Sequence, residues 1–188
     1  RIYIPSDLLL IKEYAFEYCN HPLWHQLSKW DGEIHIILPA IMRDVCFGLE
    51  DNRYESKLLE LLSEKCIYGY LVKNMDSLGF LLRNNLMNQN DRKIVTADAG
   101  IYTYNYLSKK LLEKYINTYT IPYELNLAEL LNLGLEGMEI PVYGRIPMMV
   151  TANCIKKTST GCDIGKRSEY YDFSKTNNRF SIGAEIQD

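Results

Sequence analysis

Nothing in this 188-residue chain approaches the roughly 18 to 20 consecutive apolar residues that cross a bilayer, so no membrane partner is expected. No charged leader precedes an apolar segment at its start. Cysteine is sparse: five residues, an odd number at irregular spacing, argue against a secreted disulfide scaffold and for a reducing compartment. A cytoplasmic location is the expectation. Histidine is scarcer still. The three, His21, His25 and His35, fall within one short segment far from Cys154, which does not favour a Cys–His dyad, and His35, inside an apolar strand, reads as a satisfied core residue. There is no HExxH helix for a zinc peptidase and no GxSxG elbow for a serine hydrolase. No Gly-rich phosphate fingerprint follows the first strand-like segment, which weighs against a nucleotide-binding sheet. A net charge of −3 gives no general pull toward nucleic acid, leaving room only for a local basic groove.

What is present is an ordinary globular balance, 47% hydrophobic and 24% charged, long enough for one domain with a real core or for part of a larger one. The chain opens on Arg1 rather than Met, directly into a strand-like RIYIP, and reads as an excerpt of a longer protein. Tyrosine, at 15 residues, is the outlier. Tyr can stack on bases, but scattered Tyr in strand-like runs reads first as core and rim packing.

Short β-rich runs alternate with helical patterns. Strands are expected at Ile2–Ile4, Ile34–Leu38, Ile67–Val72, Lys93–Thr96, Tyr119–Ile121 and from Ile140 to Val142, the last leading into the run Tyr143 to Cys154. Between them, helices run through Ile11 to Tyr18 (capped by Ser6 or Asp7), Leu58 to Leu62, Leu78 to Leu86 (capped by Asp76), Tyr106 to Leu112 and Leu127 to Leu133. Asn126 with Glu129 forms a capping-box start for the last. The segment His21–Gly32 reads as irregular. This alternation signals parallel βαβ units, as an open doubly wound sheet or most of a (β/α) barrel. Beyond Asp163 the tail turns polar, and the Asn177-Asn178 turn before Arg179–Ile182 suggests a small C-terminal β-hairpin extension. The domain reading is a barrel-like segment over 1–162, lacking its earliest strands, and a hairpin tail over 163–188.

In parallel α/β folds the carboxyl ends of the strands converge on the site. That ring here holds Arg43, Lys73 and Arg145 as cations, Asp7, Asp98 and Glu124 as acids, and Asn74, Asn105 and Asn126. The mixture suits a polar or anionic substrate with carboxyls available for proton transfer. Each has a plainer reading: Asn126 as a cap, Asp98 as a turn former, Arg43 as a solvated surface charge. Among the cysteines, Cys19 and Cys66 read as buried small hydrophobes and Cys46 is undecided. Cys154 and Cys162 flank a Lys-Lys-Thr-Ser-Thr-Gly loop that could lower a thiol pKa or fold two thiolates around a metal. Two thiolates do not complete an iron–sulfur site, and without a CxxC knuckle they are a weak zinc signal.

The run Tyr143-Gly144-Arg145-Ile146-Pro147-Met148-Met149-Val150-Thr151 with Cys154 resembles the signature region of peptidase family U32, the collagenase-like peptidases. It is most similar to the C-terminal barrel segment of the long bacterial members. Supporting matches are Tyr3-Ile4-Pro5-Ser6, Leu38-Pro39 with Ile41 and Arg43, Leu71-Val72-Lys73-Asn74, Ala97-Asp98 with Asn105, and Glu124-Leu125-Asn126-Leu127. The similarity covers nearly all of the chain to Cys162 and, more loosely, the tail.

The resemblance implies a partial (β/α) TIM-barrel-like peptidase domain, a hydrolase completed by the remainder of the same polypeptide, with Arg43, Asp98, Glu124 and Arg145 as the candidate polar lining. It also implies a cysteine set in which Cys154 and Cys162 come first, as metal ligands. The other thiols would follow Asp188, so an iron–sulfur cluster is expected in the full-length protein and not in this excerpt. Relatives with clusters imply an alternative, iron–sulfur-dependent hydroxylation of RNA bases or of a quinone precursor, or an assembly role. A third reading is a non-catalytic, substrate-positioning segment. The substrate, protein or RNA, stays open at this point.

Overall fold

The computed structural model describes residues 1–10, 17–42, 53–87, 93–143, 146, 149–151 and 184–186. Two compact units are defined, one formed by 1–42 and 53–141, the other by 43–52 and 142–188.

The first unit is a six-stranded parallel sheet in sequence order: β1 (Ile2–Pro5), β2 (Ile34–Ile37), β3 (Ile67–Val72), β4 (Ile94–Ala97), β5 (Thr118–Thr120) and β6 (Met138–Glu139). Helices connect successive strands: α1 (Ser6–Leu9) and α2 (Pro22–Leu27), then α3 (Arg53–Ser63), α4 (Met75–Arg83), α5 (Tyr106–Leu112) and α6 (Leu127–Leu133). Every described pairing in this sheet is between neighbours in the chain, which is barrel order and not the reversed order of a doubly wound sheet.

The sheet is strongly curled. At about 4.8 Å per strand, a flat sheet would hold β1 and β6 roughly 24 Å apart. Instead Tyr3 Oη donates to Glu139 Oε1 at 2.7 Å, and Arg1 Nη1 donates to the same oxygen at 2.9 Å. Tyr3 Oη also lies 3.3 Å from Thr96 Oγ1 of β4. These side chains meet across the concave interior of a half-barrel. The α/β, partial TIM-barrel-like class is thus the observed one.

Register explains which residues face which way. Ile4, Ile36, Tyr70, Val72, Val95, Ala97 and Tyr119 alternate onto the helix-covered face and are buried. Tyr70 Oη donates to Leu62 O of α3 at 2.8 Å, and Lys93 Nζ donates to the same carbonyl at 2.6 Å while lying over the Tyr70 ring. Together they satisfy a carbonyl that the end of α3 leaves open. Leu58, Leu61 and Leu62 of α3 are fully buried against the sheet. The opposite, concave face carries Tyr3, His35, Gly69, Leu71, Thr96, Thr120 and Glu139. A register irregularity between Ile34 and His35 makes Tyr68 the extra residue and sets Gly69 opposite His35.

Several boundaries depart from the sequence reading. The segment His21–Gly32, read as irregular, contains α2, started by His21 (Nδ1 accepts from Leu23 N at 3.1 Å) and by Pro22 in the first turn. Ser6 is the first residue of α1 and makes no cap; its hydroxyl lies 3.4 Å from Tyr54 Oη. Asn74, not Asp76, caps α4, its Oδ1 accepting from Ser77 N at 2.8 Å. The expected helix over 11–16 lies outside the described residues.

The sixth strand is Met138–Glu139, ahead of the expected Ile140–Val142, which is exposed chain. In the second unit, β7 (Met149–Thr151) from that run pairs in parallel with β8 (Ala184–Ile186) as a separate two-stranded sheet. The hairpin expected around Asn177-Asn178 lies outside the described residues.

Candidate functional site

Parallel strands place their carboxyl ends on one side, and the described residues there divide into structural and available groups. The three asparagines are helix caps. Asn74 caps α4 and also donates from Nδ2 to Ala40 O, while Ser77 Oγ donates to Pro39 O at 3.1 Å. Asn105 and Asn126 each form a full capping box, with Ser108 and Glu129 respectively. Capping occupies these amides in holding the loops, which removes them from the candidate lining. Asp7 accepts from Tyr54 Oη at 2.6 Å, and burial, with Asp7 adding to it, holds that phenol well above its ordinary range.

Asp98 stands directly after β4. Its N–H continues the ladder to Val72 O at 2.9 Å, and its Oδ1 accepts from Ala99 N, opening a short 3-10 turn over Ala99–Ile101. Gly100 in that turn lies so close to β3 that a β carbon would stand 2.8 Å from Lys73 O. The turn ends at Tyr102, which holds φ +58, a conformation that bulky residues rarely adopt. This setting projects the Tyr102 ring outward, 65% exposed, and stacks it on Tyr104 with centroids 5.5 Å apart and planes 17° from parallel.

Glu124 arrives from the turn after β5. Tyr104 Oη donates to Glu124 Oε2 at 2.5 Å, a short charge-assisted bond that joins the β4–α5 and β5–α6 loops. The carboxylate pushes the Tyr104 phenol up to about 12. Tyr123, next in the chain, has its phenol raised by burial and then by the negative charge of Asp98. Glu124 and Tyr104 therefore form one hydrogen-bonded carboxylate–phenol pair, and the charge of Asp98 acts on Tyr123 of the adjoining loop without a hydrogen bond to it. Two of the expected lining residues are brought to one surface, and three tyrosines join them that composition alone read as packing. The available signal was local: Tyr102-x-Tyr104 follows Ala97-Asp98, and Tyr123 abuts Glu124.

Arg43, Arg145, Cys154 and Cys162 lie outside the described residues, as do Cys46 and Asn153. Cys19 and Cys66, read from sequence as buried hydrophobes, are exposed and half-buried respectively: Cys19 sits in a 3-10 turn over Tyr18–Asn20 of which only Tyr18 is buried, and Cys66 stands just ahead of β3. Burial still raises the Cys66 thiol. Among the described residues no three His, Cys, Asp or Glu side chains cluster as a metal site would require. His35 is in the core as expected, but it is not satisfied there: neither ring nitrogen has a hydrogen-bond partner.

Searches of protein-family models, curated proteins and solved structures gave no match to this chain. No helix among the described residues is long and apolar enough to cross a membrane.

Proposed function

We propose that this chain is the barrel segment of a U32-type, collagenase-like peptidase, with its peptide seat on the carboxyl ends of β4 and β5. The observation that carries the reading is the Tyr104–Glu124 hydrogen bond between adjoining loops, with Asp98 at the end of β4 close enough for its charge to act on Tyr123. A carboxylate can take a proton from an attacking water, and a phenol kept protonated can donate to a developing oxyanion or leaving amine. In this reading Asp98 is the base, and Tyr104, positioned by Glu124, is the donor once its hydroxyl proton turns from that carboxylate to the substrate. Arg43 and Arg145 are candidates to hold the substrate's polar groups, on sequence grounds. Cys154 and Cys162 have no step in this chemistry.

The test is hydrolysis of gelatin and of unstructured peptides by the full-length protein and its Asp98→Asn and Tyr104→Phe variants. Loss of about 100-fold or more in each, with circular dichroism unchanged, is expected for general acid–base groups. Retained activity in both variants overturns the assignment. An iron-bearing, peptidase-inactive protein overturns the peptidase reading in favour of cluster chemistry with Cys154 and Cys162 as ligands.

A further inference from the structure

A buried imidazole sits beside the contacts that tie β1 to β6. His35 is fully buried, and both its nitrogens lack hydrogen-bond partners. Its Nε2 stands 3.6 Å from Glu33 Oε2, an oxygen that already accepts from Arg1 Nε at 2.7 Å. Arg1 in turn bridges to Glu139 Oε1, which also accepts from Tyr3. The Tyr3 ring packs against His35 at 5.2 Å.

On the far side the backbone of Gly69 presses on the ring: a β carbon there would stand 2.6 Å from Nδ1 and Cε1. The charged or titratable groups that meet His35 are therefore Arg1 and Tyr3 at β1, Glu33 ahead of β2, and Glu139 of β6. The neighbouring positions of β3 and β4, Gly69, Ile94 and Thr96, carry none.

Such a pocket tolerates a neutral ring and resists a charged one. A proton on His35 would place a second cation beside Arg1 with one carboxylate oxygen between them, and would leave Nδ1–H facing Gly69 with no acceptor. We propose that His35 makes the Arg1–Tyr3–Glu139 contact an acid-sensitive clasp, closed while the imidazole is neutral and opened when it takes up a proton. Opening hydrates the imidazolium and separates the edge strands of the half-barrel.

The direction follows from linkage. Burial first, and Arg1 second, hold the closed-state imidazole below its ordinary range, against the opposing pull of Glu33 and Glu139. The open state therefore binds more protons as pH falls below the ordinary histidine value. Closure is complete above that value and is lost as pH falls through the lowered one.

Hydrogen exchange of the β1 and β6 amides, corrected for intrinsic rates, reads the clasp directly. Between pH 7.5 and pH 5, protection of 2–4 and 138–139 is expected to fall by about fivefold or more in the wild type and to stay constant in His35→Gln. Constant protection in the wild type overturns the proposal. Equal loss in both proteins does so too, since it assigns the effect to Glu33 and Glu139. Should His35→Gln fail to fold, the wild-type imidazole is followed by NMR through its contact with the Tyr3 ring. Proton uptake coincident with the loss of protection supports the clasp, and uptake at a separate pH overturns it.

Discussion

The Tyr104 hydroxyl and the Glu124 carboxylate, 2.5 Å apart, lock the loop after β4 to the loop after β5. A single hydrogen bond thus fixes the relative position of the two turns that carry Asp98 and Glu124.

Because Glu124 raises the Tyr104 phenol to about 12, removing its charge in Glu124→Gln should return that phenol toward the ordinary tyrosine range near 10. The sign follows from the shift: the interaction contributes fully below pH 10 and is lost as pH rises through about 12. Ultraviolet titration of wild type and Glu124→Gln, each subtracted from its Tyr104→Phe counterpart, measures the change. An unchanged midpoint would show that the pair does not form in solution.

Gly69→Ala should destabilise the first unit by roughly 2–3 kcal/mol. The added carbon would stand 2.3 Å from Ile94 O, a backbone atom of the neighbouring strand that cannot swing aside. Urea unfolding gives the value. A cost below about 0.5 kcal/mol would mean that β3 and β4 are not paired at this register.

Asn126→Ala should cost about 1 kcal/mol, since it leaves the Glu129 N–H at the start of α6 without its acceptor. Substituting Asp at the same position should restore most of the loss, because a carboxylate caps equally well and favours the helix N-terminus. Thermal melts of the two variants separate capping from any contact of the amide with substrate.

Leu61→Ala and Leu107→Ala, identical in chemistry, should differ sharply. Leu61 is fully buried on α3 and should cost about 2–5 kcal/mol, whereas Leu107 is 75% exposed on α5 and should stay within about 0.5 kcal/mol. Comparable losses would show that the outer face of α5 is covered in solution.

The fold was largely legible from the chain because its signals are local. Apolar runs such as Ile34–Ile37 and Ile67–Val72 are what strands covered on their helix side require, and the Asn126–Glu129 spacing announces a cap by itself. Propensity misled where two polar signals competed: Asp76 looked like a cap, but Asn74 sits two positions earlier in extended backbone, where its side chain can reach Ser77 N. The start of β6 shifted because Ile140 and Val142 have strand-forming side chains yet no partner strand, whereas Glu139 is held by Arg1 and Tyr3 from the other end of the unit.

The site was half legible for the same reason. Asp98 and Glu124 are readable as strand-end acids, but their phenol partners depend on how two loops converge. His35 was read as a satisfied core residue. Its missing partners follow from the position of Gly69 across a register irregularity, which no residue pattern discloses.

Strand order also sets how the half-barrel assembles. Each strand adds to the one before it, so closure can proceed over short spans; Arg1 to Glu33, for example, are 32 positions apart. The bond from Arg1 to Glu139 joins residues 138 apart, and the longer loop raises the closure entropy by about 1.3 kcal/mol relative to that first span. A two-residue strand held by so distant a contact gains little until everything between has formed. Of the two contacts Arg1 makes, the one to Glu139 therefore carries the larger closure cost, and it is the one that depends on all four intervening strands being in place.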